Sequence, residues 1–250
     1  MNRILTHKFL NGILATVSLL FLVATTSASD NEWQIMREGM IREIEHDMYA
    51  ARAYIGKEVL SDRVLAALAT VKRHEFIPEE LREQAYGNYP LPIGNDQTIS
   101  QPFIVALMTD LLEVGEDSIV LEIGTGSGYQ AAVLAEIVRE VYTVEIIGEL
   151  VDQAKSLLAK LGYDNIHVRH GDGMLGWTGK SFDGIIVTAA GLDIPDTLLD
   201  QLVPGGRLVM PIGGQYETQQ LKVITKNMDM TYSERNVLPV RFVPITNEKR

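Results

Sequence analysis

Residues 120–130, VLEIGTGSGYQ, constrain this chain more than any other stretch. An apolar β-run over 118–123 carries one acid, Glu122, and then breaks into glycines at 124, 126 and 128. A helical pattern over 129–138 follows at once. Strand, glycine turn and helix open a nucleotide-binding βαβ unit, where glycines allow a sharp turn and close approach of a ligand to the backbone. The next strand, 141–145, ends in Glu145, 21 residues past Gly124. In such folds a carboxylate near that offset holds ribose hydroxyls.

The glycine spacing narrows the ligand. A dinucleotide fingerprint reads G-x-G-x-x-G, whereas this chain has G-x-G-x-G, and no Lys-Ser/Thr follows as a P-loop requires. A pyrophosphate needs amides of the helix N-terminus to face it. A ligand without phosphates, such as S-adenosylmethionine, needs close backbone approach and the ribose acid. A tight βα turn with no ligand is the structural alternative.

Around this unit the chain alternates. Strands are expected over 118–123, 141–145, 166–169, 182–188, 207–211, 220–225 and 237–243. Helices are expected over 129–138, 149–161 and 196–202, with a turn at Pro204-Gly205-Gly206. The run FDGIIVT (182–188) is continuously apolar, as strands inside a parallel sheet are. Regular βα alternation predicts an α/β fold, a doubly wound, mostly parallel sheet of the Rossmann-like kind. Upstream, 32–55, 62–71 and 102–113 read as helices, and 86–101, rich in Gly and Pro, as a structured loop. The expected organisation is an N-terminal helical subdomain over 32–115, carrying a loop at 91–102, and an α/β domain over 116–246.

The first 28 residues read differently. Arg3 and Lys8 precede a mostly apolar stretch, 9–24, then Thr25-Thr26-Ser27-Ala28, then polar Ser29-Asp30-Asn31-Glu32. That order predicts a secretory signal peptide cleaved after Ala28 and an exported, periplasmic protein. An uncleaved anchor and a cytoplasmic location are the alternatives. Cleavage removes two positive charges and takes the formal charge from -11 to about -13. Such an acidic chain without a Lys/Arg run is not a general nucleic-acid binder. With no cysteine, disulfides, thiolate nucleophiles and cysteine metal sites are excluded. The five histidines make no metal-binding spacing, so no metal is expected.

Ligands of such sheets lie at the carboxyl ends of the strands. Four segments should converge there: 124–128, Glu145, Gly171-Asp172-Gly173, and Thr188-Ala189-Ala190-Gly191. Asp172 is placed to accept an adenine amino group, although an acid there can equally be a turn residue. Small residues at 188–191 leave room for a substrate. Ser100, in the loop QTISQP (97–102), reads from spacing alone as a cap for the helix that begins at Pro102.

The order of segments closely resembles the protein-L-isoaspartate O-methyltransferase family over about residues 32–246. The matching pieces are LPIGNDQTISQP (91–102), VLEIGTGSGYQ (120–130), VYTVE (141–145), RHGDG (169–173), FDGIIVTAA (182–190), LVPGGRLVMPIG (202–213) and RFVPIT (241–246). Many methyltransferases share the glycine motif; QTISQP and RFVPIT are far more specific. The resemblance implies methyl transfer from S-adenosylmethionine to the free carboxyl of an L-isoaspartyl residue in damaged proteins and peptides. The ester then cyclises to a succinimide, whose hydrolysis partly restores aspartate. It implies Ser100 as the active-site hydroxyl over the substrate, with Gln101, Thr188, Ala189 and Ala190 also facing the substrate. Thr98, Ile99, Gly124, Thr125, Gly126, Gly128, Glu145, Asp172, Gly173 and Thr246 are the implied cofactor positions. The chain is expected to act as a monomer.

The chemistry agrees. A carboxylate with a pKa of about 4 is ionised at pH 7 and needs no strong base to attack a sulfonium methyl. Catalysis can rest on alignment, and a serine hydroxyl suits orienting a carboxylate. Two other readings stay open: a methyltransferase for another carboxylic acid, and an exported protein that binds isoaspartyl peptides without turnover.

Overall fold

The computed structural model describes residues 29–245; the expected leader and Thr246 lie outside the described residues. A two-stranded hairpin pairs β1 (Leu91–Gly94) with β2 (Gln97–Ile99). The main sheet holds β3 (Ile119–Ile123), β4 (Glu140–Glu145), β5 (Ile166–His170), β6 (Phe182–Val187), β7 (Leu202–Ile212), β8 (Gln219–Lys226) and β9 (Tyr232–Val240). Their spatial order is β5-β4-β3-β6-β7-β8-β9. The first five of these are mutually parallel, and β8 and β9 close the sheet as antiparallel strands. This is the mostly parallel Rossmann-like sheet expected. The order reverses at β3, flanked by β4 on one side and β6 on the other, and the cleft outside such a reversal is where ligands bind.

Both faces of the sheet are covered, which explains the apolar runs. Val120, Val141 and Ile186 join one core with Met40, Ile44, Leu68, Val133 and Leu134. Leu121, Ile123, Val144, Ile185 and Val187 join a second with Leu198, Leu208 and Met210. Neighbouring residues of one strand point to opposite faces, so a strand covered twice must be apolar throughout.

Helices α1 (Asp30–Ile55), α2 (Asp62–Thr70) and α3 (Pro102–Leu111) precede the sheet, and α4 (Tyr129–Ala135), α5 (Gly148–Leu161) and α6 (Asp196–Asp200) connect its strands. The start of α1 is set by a capping box: Glu32 N–H donates to Ser29 Oγ, and Ser29 N–H donates back to the Glu32 carboxylate. Two reciprocal bonds satisfy amides the first turn leaves free. The helix ends at Gly56, whose φ of 75° is left-handed.

Three expectations change. The 86–101 loop contains the β1–β2 hairpin, turned by Asn95 and Asp96 with φ of 52° and 56°. Positive φ at both central residues is the type I′ turn that suits hairpin twist. The turn expected at 204–206 is instead a register irregularity inside β7, opposite the Phe182/Gly184 step of β6. The last strand starts at Tyr232 and stops at Val240, because β8 supplies its ladder only from Gln219 to Lys226. Beyond it the chain leaves the sheet and runs beside residue 190: Ala190 N–H donates to Val243 O at 2.8 Å and Ile245 N–H to Ala190 O at 2.9 Å.

Candidate active site

A cavity sits at the carboxyl ends of β3, β4 and β6. Its floor is the turn after β3. Gly124 and Gly126 have φ of 95° and 52°, so both adopt backbone that L side chains avoid. A Cβ on Gly124 would overlap Oγ1 of Thr188, which is held by donation to the carbonyls of Ile123 and Gly124 at 3.0 and 2.8 Å.

Glu145 ends β4 and is almost fully buried. Its Oε2 accepts the Gly126 N–H at 2.9 Å, and its Oε1 accepts the amides of Ile146 and Ile147 at 2.9 and 3.0 Å. Three amides thus fix the carboxylate against the glycine turn. A carboxylate offers about four acceptor positions, so Oε2 keeps capacity for a hydroxyl.

Glu122, to which the sequence reading gave no role, also lines the cavity. It is completely buried; Thr143 Oγ1 donates to its Oε2 at 2.6 Å and Thr125 Oγ1 lies 2.6 Å from Thr143 Oγ1. Its Oε1 has no partner among the described residues. Its pKa is pushed up to about 8, chiefly by burial, with the Thr143 hydrogen bond opposing the rise and the charge of Glu145 adding to it. Glu122 is therefore largely protonated at pH 7 and can donate from the cavity wall. The signal was present: one acid within an apolar strand directly before glycines.

The cavity is also lined by Thr98, Ile99 and Ser100 from the hairpin end, and by Asp172, Gly173, Thr188, Ala189 and Ile245. Asp172 accepts the Met174 N–H at 2.9 Å, so it caps a turn and borders the cavity at once. Ser100 does not cap α3. The residue before the helix is Gln101, which makes no side-chain cap either, and the Ser100 hydroxyl has no hydrogen bond among the described residues. Capping therefore does not explain Ser100.

Eleven expected positions meet here: 98, 99, 100, 124, 125, 126, 145, 172, 173, 188 and 189. Three do not line this cavity. Gly128 sits behind it as the residue before α4, with φ of 89° and Leu158 packed where a Cβ would point. Ala190 is buried and holds the 243–245 segment by its backbone. Gln101 faces a second depression, a groove of about 1200 Å³ bordered by Ala50 and Tyr54 of α1, Phe103, Tyr216 and residues 238–244. Cavity and groove share Thr98, Ser100, Thr188, Val243 and Pro244.

Residues 51–250 match the family model of protein-L-isoaspartate(D-aspartate) O-methyltransferase (PCMT). The chain belongs to this family. A Syntrophobacter fumaroxidans protein-L-isoaspartate O-methyltransferase 2 is 52% identical over 238 residues, 94% of this chain and 96% of that protein. An Opitutus terrae protein-L-isoaspartate O-methyltransferase is 46% identical, over 94% and 98% of the two chains. A solved protein-L-isoaspartate O-methyltransferase superposes with a TM-score of 0.73 at 27% identity, over 85% of this chain and 66% of that one. The glycine turn, Glu145 and residues 97–100 stand in this chain around one cavity.

Proposed function

We propose that the protein is a repair methyltransferase that moves a methyl group from S-adenosylmethionine to the free carboxyl of L-isoaspartyl residues in damaged proteins and peptides. The observation that carries this reading is the junction of two depressions at Ser100 and Thr188. One is a cavity floored by glycines and lined by buried acids; the other is a groove of about 1200 Å³, larger than an aspartyl side chain needs. The groove favours a peptide over a small carboxylic acid.

The residues present fit the donor. Glu145 is pre-set to accept from ribose hydroxyls, and Gly124 and Gly126 hold the floor free of side chains. Asp172 borders the cavity where an adenine amino group can donate to it. Glu122, with an unpartnered oxygen, offers a further polar contact. S-adenosylmethionine supplies an electrophilic methyl on a sulfonium. Because the isoaspartyl carboxylate is already ionised, its oxygen could bond the methyl carbon as the methyl–sulfur bond breaks and S-adenosylhomocysteine leaves, with no side chain taking a proton. Ser100 donates its free hydroxyl to the carboxylate and turns one oxygen toward the cavity. Thr98 and Thr188 border both the cavity and the groove, with Ile99 and Ala189 on the cavity side and Gln101 on the groove side. Positioning of this kind contributes about 7–11 kcal/mol where the reacting atoms are held in line.

Labelled S-adenosylmethionine with an isoaspartyl peptide and its aspartyl twin tests this directly. Label should enter the isoaspartyl peptide alone; label in both, or in neither, overturns the reading.

Export of the protein is part of the same proposal. Helix α1 carries its own capping box at Ser29 and Glu32, immediately after the small residues that end at Ala28 in the sequence. N-terminal sequencing of protein from the native host should start at Ser29. An intact Met1 in a soluble cytosolic fraction would remove the export reading.

A further inference from the structure

Arg73 begins a short 3-10 turn (Arg73–Phe76) and is completely buried. Its Nε donates to the Ala85 carbonyl at 2.8 Å, and its Nη2 donates to the Ser100 carbonyl at 2.8 Å. The guanidinium lies over the Tyr129 ring, 4.8 Å from its centroid. Among the described residues it forms no ion pair, and both Nη1 and the Tyr129 hydroxyl lack a hydrogen-bond partner. A buried cation with no anion beside it is costly, and an apolar side chain would fill the same space without that cost. What a guanidinium adds is donation in two fixed directions while it stacks on a ring.

The three groups it joins are far apart in sequence. Ala85 lies just before the β1–β2 hairpin and Ser100 just after it. Tyr129 is the first residue of α4, directly after the glycine turn, and lines the cavity. Phe76, from the same turn as Arg73, packs edge-on against Tyr129 at 5.6 Å between centroids. One buried side chain therefore ties the backbone of the proposed substrate-orienting serine to the helix that carries the cofactor turn.

We propose that Arg73 is a positioning residue for methyl transfer: by holding the Ser100 carbonyl against the start of α4 it sets where the Ser100 hydroxyl stands relative to the cavity. The proposal rests on the role given to Ser100 above. In-line transfer tolerates little misplacement, and an error of about 1 Å costs on the order of 100-fold in rate. Lysine keeps the charge but cannot donate to both carbonyls across a flat ring.

The test compares Arg73→Lys, Arg73→Gln, Ser100→Ala and the double variants in the full chain. Turnover on an isoaspartyl peptide is counted per S-adenosylhomocysteine-binding site, below each melting temperature, so unfolded protein does not enter. Arg73→Lys and Arg73→Gln should lower turnover per site about 10- to 100-fold in the presence of Ser100. In the Ser100→Ala background the same substitutions should cost less than about 3-fold, because the hydroxyl they misplace is gone. Normal turnover per site, or equal losses in both backgrounds, overturns the inference while the methyltransferase reading stands. Failure of both Arg73 variants to fold would give Arg73 a stability role alone and also overturn it. A wild type inactive on the peptide overturns both readings.

Discussion

The cavity and the groove meet at Ser100 and Thr188, yet they are built in opposite ways. The cavity's floor and its two buried acids, Glu122 and Glu145, come from one βαβ unit. Glu122, Thr125, Gly126, Thr143 and Glu145 are joined by hydrogen bonds that span 18 to 21 residues. The groove draws on α1, the hairpin end, residues 215–216 and residues 238–244, so its walls are separated by nearly 200 positions. A compact unit binds by backbone shape that glycine alone permits. A surface collected from distant segments binds by whatever side chains those segments bring. The first leaves little freedom at any position; the second leaves much. Substitutions should therefore act strongly and locally in the cavity and weakly in the groove.

The sharpest break of that contrast is Gly124→Ala. The new Cβ meets Thr188 Oγ1 in a backbone conformation with φ of 95°. Left-handed backbone costs a non-glycine residue on the order of 1–3 kcal/mol, and the overlap adds to it. Loss of S-adenosylhomocysteine binding with a clear fall in melting temperature is expected. Adding Thr188→Ala removes Oγ1 and should recover the part due to overlap, leaving the part due to φ. Normal affinity in Gly124→Ala would mean that backbone shape does not define this floor.

Glu145→Ala comes next. A hydrogen bond to a charged group contributes about 1.5–3 kcal/mol, so calorimetry should show roughly 10- to 100-fold weaker binding of S-adenosylhomocysteine. The substitution also leaves the Gly126, Ile146 and Ile147 amides without their acceptor. Glu145→Gln keeps an acceptor for some of them and should fall between wild type and alanine. Equal affinity in all three proteins would remove Glu145 from the cofactor site.

How much of this was legible in the sequence follows the same division. The glycine turn, Glu145 and the parallel strands are local patterns, and periods of 2 and 3.6 with glycine punctuation expose them. The hairpin at 91–99 was hidden because Asn-Asp is a weaker turn signal than Asn-Gly. The start of β9 at Tyr232 was missed because residues 232–236 are exposed at a sheet edge and carry no apolar run. Ser29-x-x-Glu32 is a readable capping box that the adjoining leader obscured. QTISQP pointed to Ser100 by family resemblance, whereas spacing alone favoured a cap. No local rule could show Arg73 under Ser100, since that contact joins residues 27 apart in segments with no shared period.

The cavity also has a pH signature. Glu122 is protonated in the folded chain up to about pH 8 but ionises near 4.5 when exposed. Between those values the folded state holds a proton that the unfolded state has lost, so stability falls as pH rises and levels off above 8. Each unit of displacement is about 1.4 kcal/mol. Glu122→Gln cannot ionise, so its melting temperature should decline less than that of wild type between pH 5 and 8. Parallel curves for the two proteins would remove Glu122 as the source.

The smallest effect should come from the groove's rim. Tyr54 and Tyr216 border it from α1 and from the 213–217 loop, and are 69% and 94% exposed. Large rings left in water at the mouth of a groove suit contact with residues flanking a substrate carboxylate. Tyr216→Ser removes one ring from an otherwise intact surface, and nothing buried depends on it. KM for an isoaspartyl peptide of about eight residues should rise only about 2- to 5-fold, under about 1 kcal/mol, with kcat unchanged. A three-residue isoaspartyl peptide, too short to reach the rim, should show no change. If both peptides weaken equally, the loop acts on the site itself and the groove is not a separate, loosely specified surface. If neither changes, the flanking residues of the substrate lie elsewhere. Either result would dissolve the contrast between a tightly built cavity and a tolerant groove, because that contrast requires length-dependent losses that are small.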